Sequence, residues 1–229
     1  MNNGPAIERA VQGLCPQIAK NAADIPIPQD ERALWEELTC CILGSQVKNE
    51  VAQAATTQLF CECAPWAEEN HQFLQEQATK ILSRPIYVNG SWIKYRFPRS
   101  RARYLAAAAV NVIQNEGSLS KLVERYDNPR KLRETLVERI PGVGYKQASM
   151  FLRNIGKTYR LAILDAHVLD FMGIVGLGRR ERIKALSKKL YLENERDLGS
   201  YADAIGYELG IVDLAIWVVM RTAKAEGYA

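Results

Sequence analysis

The run Ile140-Pro141-Gly142-Val143-Gly144-Tyr145-Lys146 restricts this 229-residue chain more than any other stretch. Pro and Gly together interrupt a helix, and Gly reaches backbone angles that other residues avoid. Before the run, Leu132, Leu136 and Ile140 lie at i, i+4, i+8, the spacing of one helical face. After it, Ala148, Phe151, Leu152 and Ile155 repeat that pattern, and Gly156 supplies a helix-ending signal. The chain must therefore run helix, tight hairpin, helix over 132–156, with Lys146 in the first turn of the second helix.

The other segments also carry helical signals. Residues 32–60 read as one long apolar-periodic helix or two, with Gly44 as the interruption, and residues 67–82 read as another. The segment 84–100 combines Pro, Asn-Gly and aromatic residues and reads as a loop or short hairpin. Helices follow over 101–117, at "SLSKLVERY", and from "NPRKLRETLVERI", where Pro occupies a first-turn position. Asp165 is an evident N-cap for 165–176, and the basic segment 179–196 and the apolar run from Gly206 close the chain as helices. The expectation is an all-α fold with two helical subdomains flanking a cleft. The central part, about 32–160, holds the hairpin, and the N-terminal helices plus 161–229 make the other part.

The longest apolar runs fall short of the roughly 20 residues that cross a membrane, and no basic flank with an apolar core opens the chain. We expect a cytoplasmic, nucleoid-associated protein with no membrane partner, acting as a monomer. Five cysteines without a CxxC pair and only two histidines argue against a metal held by side chains. Cys40 and Cys41 read as buried reduced thiols. The net charge of +4 is unevenly spread. Residues 80–160 hold 17 basic and 5 acidic side chains, whereas 1–79 hold 4 and 11 and 161–229 hold 9 and 10. A central +12 block beside an acidic third suits one face built for a polyanion; scattered solvated lysines are the alternative.

A helix N-terminus behind glycines offers unpaired amides to a phosphate. Lys146 then reads either as one more phosphate contact or as a nucleophile. A nucleophilic amine must be neutral, and an ordinary lysine, with a pKa of about 10.4, is neutral only on the order of 0.1 % of the time near pH 7.4. The helix dipole, neighbouring arginines and desolvation all favour the neutral form. Such an amine attacks a sugar carbon and forms a Schiff base. Asp165, nineteen residues later, reads as a cap that also steadies positive charge on a sugar. His167 reads as structural. In "WIKYRFPRSRAR" aromatics alternate with arginines, which suits a duplex-gripping surface or a loop laced by cation–π contacts.

The run "IPGVGYKQASMFLRNIG…LAILDAHVLDF" resembles the helix-hairpin-helix DNA glycosylase superfamily, and "LWEELTCCILGSQV", "YRFPRSRARYL" and "VDLAIW" are similar to the second, mostly archaeal family of 8-oxoguanine DNA glycosylase/AP lyases. Matching segments lie between roughly residues 32 and 222. The resemblance implies that Lys146 attacks C1′ of a damaged nucleotide, displaces the base and supports β-elimination, with Asp165 activating it. Gly142 and Gly144 would meet phosphate, with Arg99 and Arg101 beside them. No cofactor is implied beyond a monovalent cation at the hairpin carbonyls. Gln46, Asp213 and Trp217 would line the base pocket. Asp213 and Trp217, at i and i+4, share a helix face. On the residues alone, Gln46 reads equally as a polar group satisfied between helices, Trp217 as core and Asp213 as a helix cap.

Ala166, Met150 and the end "MRTAKAEGYA" depart from the family pattern. The implied partner is double-stranded DNA containing a damaged base. The implied function is base excision repair by a bifunctional glycosylase/AP lyase acting on an oxidised purine, with 8-oxoguanine favoured. The same chemistry on another modified base, and a non-catalytic DNA-binding module, are the rivals. A four-cysteine cluster near the C-terminus, absent here, would have pointed to the endonuclease III and adenine-glycosylase branches. Lys146 points away from the monofunctional alkylbase enzymes.

Overall fold

The computed structural model describes residues 3–23, 30–65, 70–178 and 187–227. The fold is all-α, with one two-stranded hairpin among the described residues, and divides into two compact units. One unit gathers Met1–Ile27 and Gly156–Ala229, and the other is Pro28–Ile155.

In the second unit, the expected 32–60 helix is two helices. α2 (Glu31–Leu43) ends where Gly44 caps it, and α3 (Asn49–Phe60) restarts after a short turn. α4 (His71–Leu82) begins later than the expected residue 67, because the Asn70 side chain accepts from the Phe73 amide and sets the start there. Residues 67–69 of that expectation lie outside the described residues. The segment 84–100 is a hairpin, β1 (Pro85–Val88) against β2 (Ser91–Lys94), antiparallel with Tyr87 opposite Trp92. Asn89 and Gly90 turn it with φ of 48° and 84°, the primed turn that matches strand twist. α5 (Pro98–Glu116) starts three residues before the expected Arg101, since Pro98 fits the first helical position. α6 (Leu119–Glu124), α7 (Pro129–Arg139) and α8 (Tyr145–Asn154) follow, with Ser118 and Asn128 as side-chain caps for α6 and α7. The core of this unit includes Trp35, Leu38, Ile42, Leu59, Leu105, Leu136, Phe151 and Leu152, all fully buried.

One carboxylate ties this unit together. Glu31 accepts from the amides of Leu119 and Ser120 at 2.7 and 2.9 Å, from the Ser120 hydroxyl at 2.8 Å and from the Trp35 indole N–H at 2.9 Å. It thus supplies the acceptor that the first turn of α6 lacks and locks it to α2.

The first unit contains α1 (Gly4–Ala23), α9 (Ala166–Ile174), α10 (Lys188–Ile205) and α11 (Leu209–Ala225). α1 packs on α11, and α11 on α9. Residues 179–186 of the expected basic helix lie outside the described residues, while 188–196 fall in α10. The last helix starts at Leu209 rather than Gly206, because Gly206 takes the left-handed conformation that ends α10. At Gly210 the amide donates to the Tyr159 carbonyl at 2.6 Å, and a Cβ there would sit 2.9 Å from that oxygen. Only glycine lets α11 approach so closely. No helix of the described residues is long and apolar enough to cross a membrane.

Replacing Glu31 with Ala strands two amides and an indole N–H at once. The expected loss is about 2–3 kcal/mol of folding free energy, read from the midpoint of chemical denaturation, with the helical circular dichroism of the folded protein unchanged.

Candidate nucleic-acid interface and reactive lysine

The hairpin is built as its sequence demands. Ile140 closes α7 in extended backbone, the Val143 amide donates to the Ile140 carbonyl at 3.1 Å, and Gly142 takes φ of 83°. A Cβ on Gly142 would lie 2.5 Å from Cδ2 of Tyr104, so the hairpin backbone rests directly on that ring. Gly144 is the N-cap of α8, and its amide donates to the Gln147 side chain at 3.3 Å. Having no side chain, Gly144 leaves the first-turn amides of α8 without a capping acceptor. Two further contacts brace the turn. Asn111 of α5 donates to the Arg139 carbonyl at 2.9 Å, and the buried Arg133 of α7 reaches the Ser149 hydroxyl and covers the Tyr145 ring.

Lys146 occupies the second position of α8 and is half-buried. Among the described residues of its unit its ammonium group forms no ion pair or hydrogen bond, and its charge acts on Cys41 of α2. There burial, chiefly, and the negative charge of Glu37 drive the thiol well above its ordinary value, while the positive charge of Lys146 pulls the other way. Cys40 is pushed up to about 11 by burial and then by Glu37. Both thiols therefore stay protonated and unreactive, and Cys41 lies within electrostatic reach of the lysine.

Arg99 is exposed in the first turn of α5. Arg101 is different: it is buried, donates to the Ser45 carbonyl at 2.9 Å and stacks over Phe97 and Tyr104. The Arg101 guanidinium is thus directed at the α2–α3 turn, with one of its nitrogens on the Ser45 carbonyl, rather than presented at the surface as Arg99 is. Arg103, the last arginine of the aromatic–arginine run, is exposed and lies over the Tyr104 ring at 5.4 Å. It is four residues after Arg99 on the same helix, a spacing that puts both on one face. Tyr104 thus joins the arginine-bearing start of α5 to the hairpin.

Gln46 sits in the turn that Arg101 holds. It is exposed and has φ of 63°, a left-handed conformation that a non-glycine residue adopts only when its surroundings enforce it. Arg101 on the Ser45 carbonyl and Tyr95 on the Leu43 carbonyl, at 2.7 Å, provide that enforcement. The side chain is therefore presented outward and is not a polar group satisfied between helices.

In the other unit, Asp165 caps α9 through Oδ1, which accepts from the His167 and Val168 amides at 2.8 and 3.0 Å. This uses one oxygen and leaves Oδ2 without a hydrogen bond among the described residues. Trp217 is half-buried, with Arg221 over its face at 5.1 Å and His167 edge-on at 6.5 Å, so it is not a core residue. Asp213 is 1 % exposed, and its Oδ2 accepts from the Ile163 amide at 2.6 Å. Asp213 lies in the second turn of α11 after the Glu208 N-cap, so it is not the cap; its buried carboxylate is bonded to the backbone that leads into Asp165. Among the described residues, no group of three or more His, Cys, Asp and Glu is placed to hold a metal ion.

A family model described as 8-oxoguanine DNA glycosylase matches residues 19–207. The chain belongs to the 8-oxoguanine DNA glycosylase family. Its relatives include proteins named 8-oxoguanine DNA glycosylase/AP lyase from Saccharolobus solfataricus and Saccharolobus islandicus. They are 32 % and 38 % identical over 189 residues, covering 82 % of this chain and 82 % of each relative. The crystal structure of the 8-oxoguanine DNA glycosylase of Thermotoga maritima is similar with a TM-score of 0.70 and 29 % identity, covering 94 % of both chains.

The two hairpin glycines of this family member differ in what a side chain would meet. Gly142→Ala must place a methyl group against the Tyr104 ring at positive φ, and is expected to cost about 2–3 kcal/mol of stability and to weaken duplex binding. Gly144→Ala meets only the flexible Gln147 side chain, at 3.3 Å and with an ordinary φ of −99°. It is expected to cost less than about 1 kcal/mol. Thermal unfolding and a duplex-binding titration check both.

Proposed function

We propose that this protein is a bifunctional DNA glycosylase/AP lyase of base excision repair that excises 8-oxoguanine from double-stranded DNA. The observation that carries the reading is Lys146 in the uncapped first turn of α8, behind the Pro141–Gly144 turn, in a chain that an 8-oxoguanine DNA glycosylase family model matches over residues 19–207. The relatives' name, 8-oxoguanine DNA glycosylase/AP lyase, supports both halves of the activity.

In this reading the lone pair of the neutral Lys146 amine attacks C1′ of the flipped nucleotide. The C1′–N9 bond breaks, and the base departs with the bonding electrons and takes up a proton. The resulting ammonium gives up one proton, the C1′–O4′ bond breaks, and O4′ leaves with the bonding electrons and takes up a proton, giving a protonated imine between Nζ and C1′. Loss of a C2′ proton then expels the 3′ phosphate with its oxygen, the lyase step. Asp165, fixed by its capping bonds, stabilises positive charge on the sugar through Oδ2 and receives the lysine's proton. The first-turn amides of α8 and the guanidinium groups of Arg99 and Arg103 take the phosphates. The carbonyls of the 140–144 turn would hold a monovalent cation, which would add positive charge to that grip. Gln46, held outward by its turn, contacts the edge of the extruded base, and Trp217 supplies a stacking face. All the covalent chemistry comes from side chains, and no redox group takes part.

The test is borohydride trapping on a duplex containing a single 8-oxoguanine, with wild type and Lys146→Gln compared. A covalent adduct with wild type alone is the expected result. An adduct only on an abasic duplex keeps the lyase and removes 8-oxoguanine as substrate, and no adduct on either duplex contradicts the reading.

A further inference from the structure

Residues 161–164, which lead into Asp165, are buried yet belong to no helix or strand. Their backbone groups cannot find water and have no ladder partner, so other groups must satisfy them. Three consecutive amides are met by three side chains. The Ala162 amide donates to Oε1 of Glu195 at 3.0 Å, the Ile163 amide to Oδ2 of Asp213 at 2.6 Å, and the Leu164 amide to the Tyr191 hydroxyl at 3.3 Å. That hydroxyl in turn donates to the Ala162 carbonyl at 2.7 Å. Tyr191 and Glu195 are four residues apart on α10, on one face, and Asp213 comes from α11. All three are at most 6 % exposed. The Asp165 amide then donates to the Ile163 carbonyl at 2.8 Å, turning the chain so that Asp165 becomes the cap of α9.

Ordinary packing would meet the need for burial with apolar side chains and a regular element. Here two carboxylates and a phenol are buried to hold one four-residue segment whose next residue is the catalytic carboxylate. From this we infer that Tyr191, Glu195 and Asp213 are positioning residues for Asp165, fixing the backbone from which its carboxylate is aimed. This rests on the reading of Asp165 in the glycosylase reaction given above. None of the three touches the reacting atoms. They act by denying the 161–164 segment any alternative register, so that Oδ2 of Asp165 has one location.

The test is single-turnover base release from an 8-oxoguanine duplex by wild type, Tyr191→Phe, Asp165→Asn and the double variant, with duplex affinity and thermal unfolding followed in parallel. Tyr191→Phe keeps the ring and its volume and removes both hydroxyl bonds. It is expected to slow base release about tenfold while duplex affinity changes less than about twofold. In the Asp165→Asn background the same change is expected to cost less than about twofold, because the carboxylate it aims is already gone. Asp213→Asn keeps an oxygen acceptor for the Ile163 amide and is expected to retain about tenfold more activity than Asp213→Ala. Should Tyr191→Phe fail to fold, that pair, compared in the wild-type and Asp165→Asn backgrounds, decides the matter in the same way. Equal losses in the two backgrounds, with an active wild type, overturn the inference alone. A wild type inert on this duplex and on an abasic duplex overturns the assigned reaction and the inference with it.

Discussion

The contact between Gly142 and the ring of Tyr104 fixes the second unit's functional surface. With no Cβ and a φ of 83°, Gly142 lets the hairpin backbone lie directly against the Tyr104 side chain. That places the end of α7 and the start of α8 relative to α5, with Asn111 and Arg133 holding the turn from either side. The first turn of α8 is then presented without a cap, and Lys146 comes with it. Tyr104 also carries Arg101 and Arg103 on its ring. A single close approach therefore joins the backbone amides, an exposed guanidinium and the lysine into one surface.

The first unit solves a different problem, the aiming of a carboxylate from irregular backbone. A strand would have supplied ladder bonds for 161–164, but among the described residues that segment has no neighbouring strand. Glu195, Asp213 and Tyr191 provide the missing acceptors, and Gly210 allows α11 to seat against Tyr159 just upstream. Burying carboxylates is costly unless each is bonded. The bonds to consecutive amides are what make these positions tolerable, and they tie the placement of Asp165 to two helices rather than to its own loop.

The parts legible in the sequence are those decided within a few residues. Periodicity marked the helices, Asn128-Pro129 and Asp165 marked two of their starts, and Pro141-Gly142 marked the turn, because caps and turns are local chemistry. Positions set by distant partners were not legible. Arg101 reads as a surface cation until Ser45, 56 residues away, offers its carbonyl. The bond of Asp213 to the Ile163 amide, 50 residues earlier, has no local sequence signal either. The strained backbone of Gln46 depends on the same Arg101 and on Tyr95. Arg103 was within reach, since its four-residue spacing from Arg99 is a local pattern, but its weight comes from the contact of Tyr104 with Gly142.

The central claim is that the amine at residue 146 is the one that bonds to the sugar, and locating that bond tests it most directly. After borohydride reduction of the complex with 8-oxoguanine duplex, nuclease trimming and proteolysis, mass spectrometry assigns the nucleotide remnant to a residue. The account predicts the remnant on Lys146, with proteolytic cleavage after that residue blocked. A remnant on Lys157, on Lys131 or on the N-terminal amine would contradict it.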